Sequence, residues 1–220
     1  MTVEVKICGI KTEAALAAAL EEGADYVGLV FFPPSPRHVT AAEAQALASK
    51  ARGRARIVAL MVDPDDQLID SVVGAADPDV LQLHGAETPE RVLDIRLRWG
   101  KPVMKAVHVE EQADVGEAAA YRNAADLILF DARAPLASTR PGGNGAPFDW
   151  RALLGIKGQL RYMLSGGLTP DNVAQAIAIT GAPMVDVSSG VEIRPGEKDP
   201  ALIRRFIRAA KGVGQPAGSS

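Results

Sequence analysis

The sequence predicts an α/β fold, a single-domain (β/α)8 TIM barrel, and three observations carry that prediction. Eight short apolar runs begin near residues 3, 26, 56, 80, 102, 126, 161 and 184, each followed by a helical pattern. This is the alternation of a parallel sheet with helices outside it. The 220 residues, 47% of them hydrophobic, suffice for one sizeable core, and barrels of this length form single domains. No GxGxxG or GxxxxGK[ST] element follows any strand, which counts against an open doubly wound sheet.

The elements follow in order. Val3, Val5 and Ile7 alternate with Glu4, Lys6 and Cys8, a period of two that gives a strand and puts Lys6 and Cys8 on one side. Gly9 ends it, and Thr12 caps an alanine-rich helix over 13–22 that Gly23 stops. The run 26–32 is too short for a helix and reads as a buried strand leading into Pro33-Pro34-Ser35-Pro36-Arg37-His38. Thr40 caps a helix to about residue 51, and a third strand over 56–62 ends at Asp63-Pro64. A helix over 65–76, a strand over 80–83 and a helix opened by Thr88-Pro89 and closed by Gly100 come next. Then follow a strand over 102–107, a helix over 110–122 and a strand over 126–130 that ends at Asp131.

The segment 132–147 is the longest irregular stretch, and its Pro141-Gly142-Gly143-Asn144-Gly145 core reads as a lid. A short helix begins at Phe148-Asp149-Trp150, and a seventh strand leads into Ser165-Gly166-Gly167. Thr169-Pro170 starts a helix that Gly181 stops, an eighth strand over 184–187 precedes Ser188-Ser189-Gly190, and Asp199-Pro200 caps the last helix. The barrel is expected over 1–211, with a disordered tail over 212–220.

Composition excludes several classes. A net charge of -3 with scattered Lys and Arg argues against a nucleic-acid partner. One cysteine cannot form an intramolecular disulfide, and neither a secretory leader nor a run of roughly 18 apolar residues is seen, so a cytoplasmic protein with no membrane partner is expected. His38, His84 and His108 lack metal-ligand spacing with one another or with Cys8, so no metal is assigned.

In a barrel the residues just after the strands share one rim, where catalytic groups gather. Here they are Cys8, Arg37, Asp63, His84, Asp131, Ser165-Gly166-Gly167 and Ser188-Ser189-Gly190. The last two loops follow strands seven and eight, where barrels place a phosphate on loop amides; each alone could be a tight turn. Arg37, behind three prolines, is either a lone surface cation or a rigidly presented guanidinium for a carboxylate or phosphate. Asp131 could cap a helix, pair with a cation, or act as a general acid if burial raised its pKa. Cys8 is either a small core residue or a thiolate favoured by a nearby ammonium. Lys6, if it points inward, needs a counter-charge; strand eight closes on strand one, which makes Asp186 its expected partner.

The motifs taken together resemble the phosphoribosylanthranilate isomerase family of tryptophan biosynthesis. They are Val5-Lys6-Ile7-Cys8-Gly9-Ile10, Ser35-Pro36-Arg37, Gln82-Leu83-His84-Gly85, Phe130-Asp131, Gly142-Gly143-Asn144-Gly145 with Phe148-Asp149-Trp150, Ser165-Gly166-Gly167-Leu168 and Val185-Asp186-Val187-Ser188-Ser189-Gly190-Val191-Glu192. The resemblance implies a barrel that performs a cofactor-free Amadori rearrangement of a small phosphosugar, as a monomer or homodimer. It implies Cys8 as general base, with a lowered thiol pKa, and Asp131 as general acid, with a raised one. Arg37 would hold the anthranilate carboxylate, and Gln82, His84 and Asp186 would bind substrate. Gly143, Asn144, Gly145, Gly166, Gly167, Ser188, Ser189 and Gly190 would hold the phosphate. Two positions depart from the family pattern: Asn144 stands where Thr or Ser is expected, and Asp63 where asparagine is common. Three other readings remain at this point: the aminoaldose isomerase of histidine synthesis, which has aspartate at the position of Cys8; a phosphosugar-binding barrel without catalysis; and a Schiff-base lyase using Lys6 or Lys105.

Overall fold

The computed structural model describes residues 2–110, 112–132, 149–156 and 161–213. Eight parallel strands close into a barrel in sequence order: β1 (Glu4–Cys8), β2 (Tyr26–Val30), β3 (Arg56–Met61), β4 (Val80–Leu83), β5 (Val103–Val109), β6 (Leu127–Ala132), β7 (Tyr162–Leu164) and β8 (Met184–Val187). Closure comes from β8 pairing with β1, which sets Lys6 directly opposite Asp186. The helices between them are α1 (Glu13–Glu21), α2 (Ala41–Ala51), α3 (Asp66–Ala76), α4 (Pro89–Trp99), α5 (Gln112–Glu117), α6 (Val173–Thr180) and α7 (Pro200–Lys211).

Local chemistry sets the helix starts. Thr12, Asp65 and Thr88 each accept an N-terminal amide through a side-chain oxygen, and Thr40 forms a full capping box with Glu43. A second device recurs at the strand starts. Asp25, Asp79 and Asp126, each just before an even-numbered strand, accept the backbone N–H of Val5, Ile57 and Val103 on the preceding odd strand at 2.8, 2.7 and 2.9 Å. These bonds satisfy donors at the closed end of the barrel that the parallel ladder leaves over.

The alternation of side chains divides the core in two. Val5, Ile7, Val27, Leu29, Ile57, Ala59, Leu81 and Leu83 face the helices and pack with Leu16, Ala48, Ile69, Val92 and Phe206. Tyr26, Val58, Val80, Met104, Ala106, Leu129, Met163 and Met184 fill the barrel interior. Above them, at the carboxyl ends of the strands, Cys8 packs with Val30 and Leu60. The lumen is therefore a plugged core with its chemistry confined to one mouth.

Two differences from the sequence reading have clear physical causes. The helix expected over 110–122 is shorter: α5 spans Gln112–Glu117 and tightens into a 3₁₀ turn at Ala118–Tyr121. Gly116 costs such a helix about 1 kcal/mol relative to alanine. The helix expected from Thr169-Pro170 begins instead at Val173, because the Asn172 side chain accepts the Thr169 N–H at 2.8 Å and donates to the Gly167 carbonyl at 2.9 Å, holding 169–172 in a turn. Between β8 and α7 lies a hairpin that the sequence did not disclose, β9 (Glu192–Arg194) with β10 (Glu197–Lys198). The short helix expected from Phe148-Asp149-Trp150 is a 3₁₀ helix at Trp150–Ile156. Gly143, Asn144, Gly145 and the tail from 214 lie outside the described residues.

Candidate active site

Strand parity delivers Lys6 and Cys8 into the lumen from β1, Gln82 from β4, His108 and Asp131 from the paired ends of β5 and β6, and Asp186 from β8. His84, just past β4, joins them. Lys6, Gln82, His84, Asp131 and Asp186 are all buried, as is Cys8. The expected Lys6–Asp186 pair is present at 3.0 Å, between residues 180 apart in sequence. Ser165 donates to the other Asp186 oxygen at 3.4 Å. Burial disfavours the Lys6 ammonium, but Asp186 and Cys8 outweigh it and hold its pKa above the ordinary lysine value. A lysine kept protonated in this way is no Schiff-base nucleophile. Lys105 is none either, since it shares the outward side of Val103 and Val107 and is bound to Glu87 at 2.9 Å and the Gly85 carbonyl at 2.7 Å.

Removing the Lys6 ammonium strands the Asp186 carboxylate in a buried site. Lys6→Met is expected to lose about 3 to 5 kcal/mol of stability, read as a lower urea midpoint, while Lys6→Met/Asp186→Leu recovers most of it. An unchanged midpoint in the single variant would contradict the buried pair.

The Cys8 thiol has room because β2 presents Gly28 beside it; a Cβ there would sit 2.9 Å from the sulfur. The pKa of this thiol runs opposite to the sequence expectation. Burial pushes it up; Lys6 and Lys198 pull it down, but Asp186 offsets them and the net shift is upward. Lys6 is the strongest of the groups that favour the thiolate, but burial together with the Asp186 carboxylate outweighs it.

Asp131 is also reversed. Burial alone would raise it, but the His84 hydrogen bond, the nearby His84 and His108 rings and the Ala132 N–H hold it below the usual carboxylate range. The contacts form a chain: Gln82 Nε2 lies 3.0 Å from His84 Nδ1, His84 Nε2 lies 3.2 Å from an Asp131 oxygen, and Ala132 N donates to the other at 3.0 Å. With the Gln82 amide donating to Nδ1, the His84 proton sits on Nε2 and is donated to Asp131.

Arg37 is buried and rigidly placed, as its prolines suggested. It grips a carboxylate bidentately, and that carboxylate is Glu192, reached by Nε and a terminal nitrogen at 2.8 Å each. Glu192 also receives Lys198 at 2.6 Å, and Lys198 donates to the Ser188 carbonyl at 3.0 Å. Glu192 and Lys198 are the polar residues that sequence reasoning passed over as candidates. Both lie on the undisclosed hairpin, and the adjacent Glu197-Lys198 pair carries no periodicity to mark Lys198 as buried.

The two glycine and serine loops sit side by side on the rim. Gly166 and Gly167 have φ of +87° and +65°, values that favour glycine. A side chain at Gly190 would overlap the Leu168 carbonyl, so the loop after β8 lies directly against the loop after β7. Ser188 donates to the Cys8 carbonyl at 3.2 Å, tying this cradle to β1. Asp63, by contrast, serves the backbone: it adopts φ of +46°, and its carboxylate accepts the Ala86 N–H at 2.7 Å. Asparagine or aspartate suits that left-handed position equally, which accounts for the departure there.

Three residues meet at the mouth that linear spacing did not connect. One ligand atom each from His84, His108 and Asp131 lies within 4.8 Å of the others. They come from successive strand ends, each a whole βα unit apart, so no short motif announces them.

Comparison with known proteins follows the same lines. The family described as N-(5'phosphoribosyl)anthranilate (PRA) isomerase matches residues 5–209. The N-(5'-phosphoribosyl)anthranilate isomerase of Paramagnetospirillum magneticum is 56% identical over 216 residues, covering 98% of this chain and 100% of that one. The Brucella canis enzyme of the same name is 52% identical over 209 residues, covering 95% and 94%. The crystal structure of phosphoribosyl anthranilate isomerase from Thermotoga maritima superposes with a TM-score of 0.86 at 38% identity, covering 96% and 99%. A phosphoribosyl anthranilate isomerase in complex with reduced 1-(o-carboxyphenylamino)-1-deoxyribulose 5-phosphate superposes at 0.83 and 36%, covering 96% and 99%. The closed barrel, the ordered motifs and these full-length matches together establish that this chain belongs to the phosphoribosylanthranilate isomerase family.

Proposed function

We propose that this chain converts N-(5-phosphoribosyl)anthranilate to 1-(2-carboxyphenylamino)-1-deoxyribulose 5-phosphate in tryptophan biosynthesis, with Cys8 as general base and Asp131 as general acid. The observation that carries the assignment is that both side chains turn into the lumen at the same end of the barrel, beside the paired loops after β7 and β8. Asp131 gives its proton to the furanose oxygen, and the C1–O bond breaks as the anilino nitrogen forms an iminium. Cys8 then removes the C2 proton, leaving an enolamine that tautomerises to the ketone. Gly166, Gly167, Ser188, Ser189 and Gly190 hold the phosphate through backbone N–H and hydroxyl donors, joined by Gly143, Asn144 and Gly145 of the lid. Arg37, its plane fixed by Glu192, is assigned to the anthranilate carboxylate, and Gln82, His84 and Asp186 line the space between.

The directions of the two pKa shifts give this reading a distinctive pH dependence. In the free protein the base rests as a thiol, facing Lys6, Asp186 and Lys198, and the acid rests as a carboxylate, facing His84 and His108. The reactive form has the proton moved from sulfur to carboxylate. Raising the pH increases the thiolate in the same proportion that it decreases the carboxylic acid, so the rate holds level between the two pKa values. Above the raised thiol pKa the acid's proton is lost without further gain of base, and activity falls. The alkaline limb is the diagnostic one, because the substrate phosphate itself titrates near pH 6. Fluorescence-monitored turnover of the anthranilate substrate by the purified chain is expected to show kcat/KM level into the ordinary thiol range and falling only beyond it. No turnover would overturn the function, and an alkaline limb centred at about pH 7 would overturn this assignment of protonation states.

A further inference from the structure

We infer that the acid side of this mouth is a binding site for a divalent transition ion of the zinc type, held by His84, His108 and Asp131. Two imidazoles and one carboxylate form a donor set that zinc takes in open sites, with a fourth position left for water or a substrate oxygen. The geometry is close to what such an ion needs. Tetrahedral bonds of about 2.1 Å put ligand atoms about 3.4 Å apart; His84 Nε2 and the Asp131 oxygen are already 3.2 Å apart, and all three ligand atoms lie within 4.8 Å. His108 is only partly buried, which leaves the site open toward the mouth.

A second, independent observation points to the same ligand. Gln82 is fully buried, and its Oε1 has no hydrogen-bond partner among the described residues. The same amide places Nε2 against His84 Nδ1. A histidine that binds metal through Nε2 must carry its proton on Nδ1 and donate it to a neighbouring acceptor. Turning the Gln82 amide over supplies that acceptor, satisfies the orphaned oxygen and frees the Nε2 lone pair for the ion. The stranded oxygen is thus the outer-shell group that the metal-bound form of His84 requires.

An ion on Asp131 excludes the proton that the carboxyl must deliver, so the site is inhibitory. Binding does not depend on Asp131 being the acid; inhibition rests on that reading. The test is titration of metal-free enzyme with Co2+ in the absence of substrate, followed by visible absorption, with Zn2+ as competitor. The expected result is one equivalent of four-coordinate cobalt, displaced by Zn2+, with an affinity at least tenfold weaker in His108→Ala. An unchanged titration in His108→Ala overturns the site, and so does a thiolate-to-cobalt charge-transfer band, which would place the ion on Cys8. A cobalt-loaded enzyme that shows the His108-dependent spectrum yet turns over at full rate supports the site and removes Asp131 from the chemistry.

Discussion

Replacing Cys8 with alanine is expected to lower kcat by about 10²- to 10⁴-fold, the range that a positioned proton-transfer group supplies. The fold should survive, because alanine removes one atom from the layer in which Cys8 packs with Val30 and Leu60. Substrate affinity should change little, since the phosphate and carboxylate are held by other groups. A loss confined to KM would instead make Cys8 a packing residue. Serine is expected to rescue poorly, because a hydroxyl in the same buried site is far harder to ionise than a thiol.

Asp131→Asn is expected to cause a loss of similar size, about 10²- to 10⁴-fold in kcat, by the opposite route. Asparagine keeps an oxygen for the Ala132 N–H and a polar atom facing His84, so the local hydrogen bonds can be rebuilt. What it cannot do is deliver a proton to the ring oxygen. Circular dichroism and urea unfolding of the variant should match the parent. Near-parental turnover would show that ring opening draws its proton from elsewhere, with His84 the nearest alternative at 3.2 Å from the Asp131 carboxylate.

Much of this was legible in the residues. The eight strand positions followed from short apolar runs bounded by glycine, proline and aspartate, and β1 to β8 begin within a residue or so of where those runs do. The Lys6–Asp186 pair was legible too, because closing a barrel forces the first and last strands together and an inward lysine demands a counter-charge. The hairpin of β9 and β10 was not, since strands of three and two residues are too short to show an alternation. The hairpin is nonetheless what holds Arg37 in place, through Glu192.

Protonation states were the least legible feature. The sequence places an ammonium beside Cys8 and invites a lowered thiol pKa, but that ammonium is already paired with Asp186, and exclusion of water from the lumen dominates. It leaves Asp131 free to be raised by burial, but His84 arrives from two strands away and stabilises the carboxylate. Both reversals depend on three-dimensional neighbours. They also give the pair a definite chemical character: a strong base and a strong acid, each populated sparingly, rather than two groups poised near neutral pH.

The division of labour between Cys8 and Asp131 can be read from substrate carrying deuterium at ribose C2. Cys8→Ser should slow removal of that hydrogen and therefore show a larger primary isotope effect on kcat than the parent. Asp131→Asn should slow ring opening, which precedes it, and show an effect no larger than the parent's. Isotope effects that are equal in the two variants, or larger in Asp131→Asn, would contradict the assignment of base to the sulfur and acid to the carboxyl.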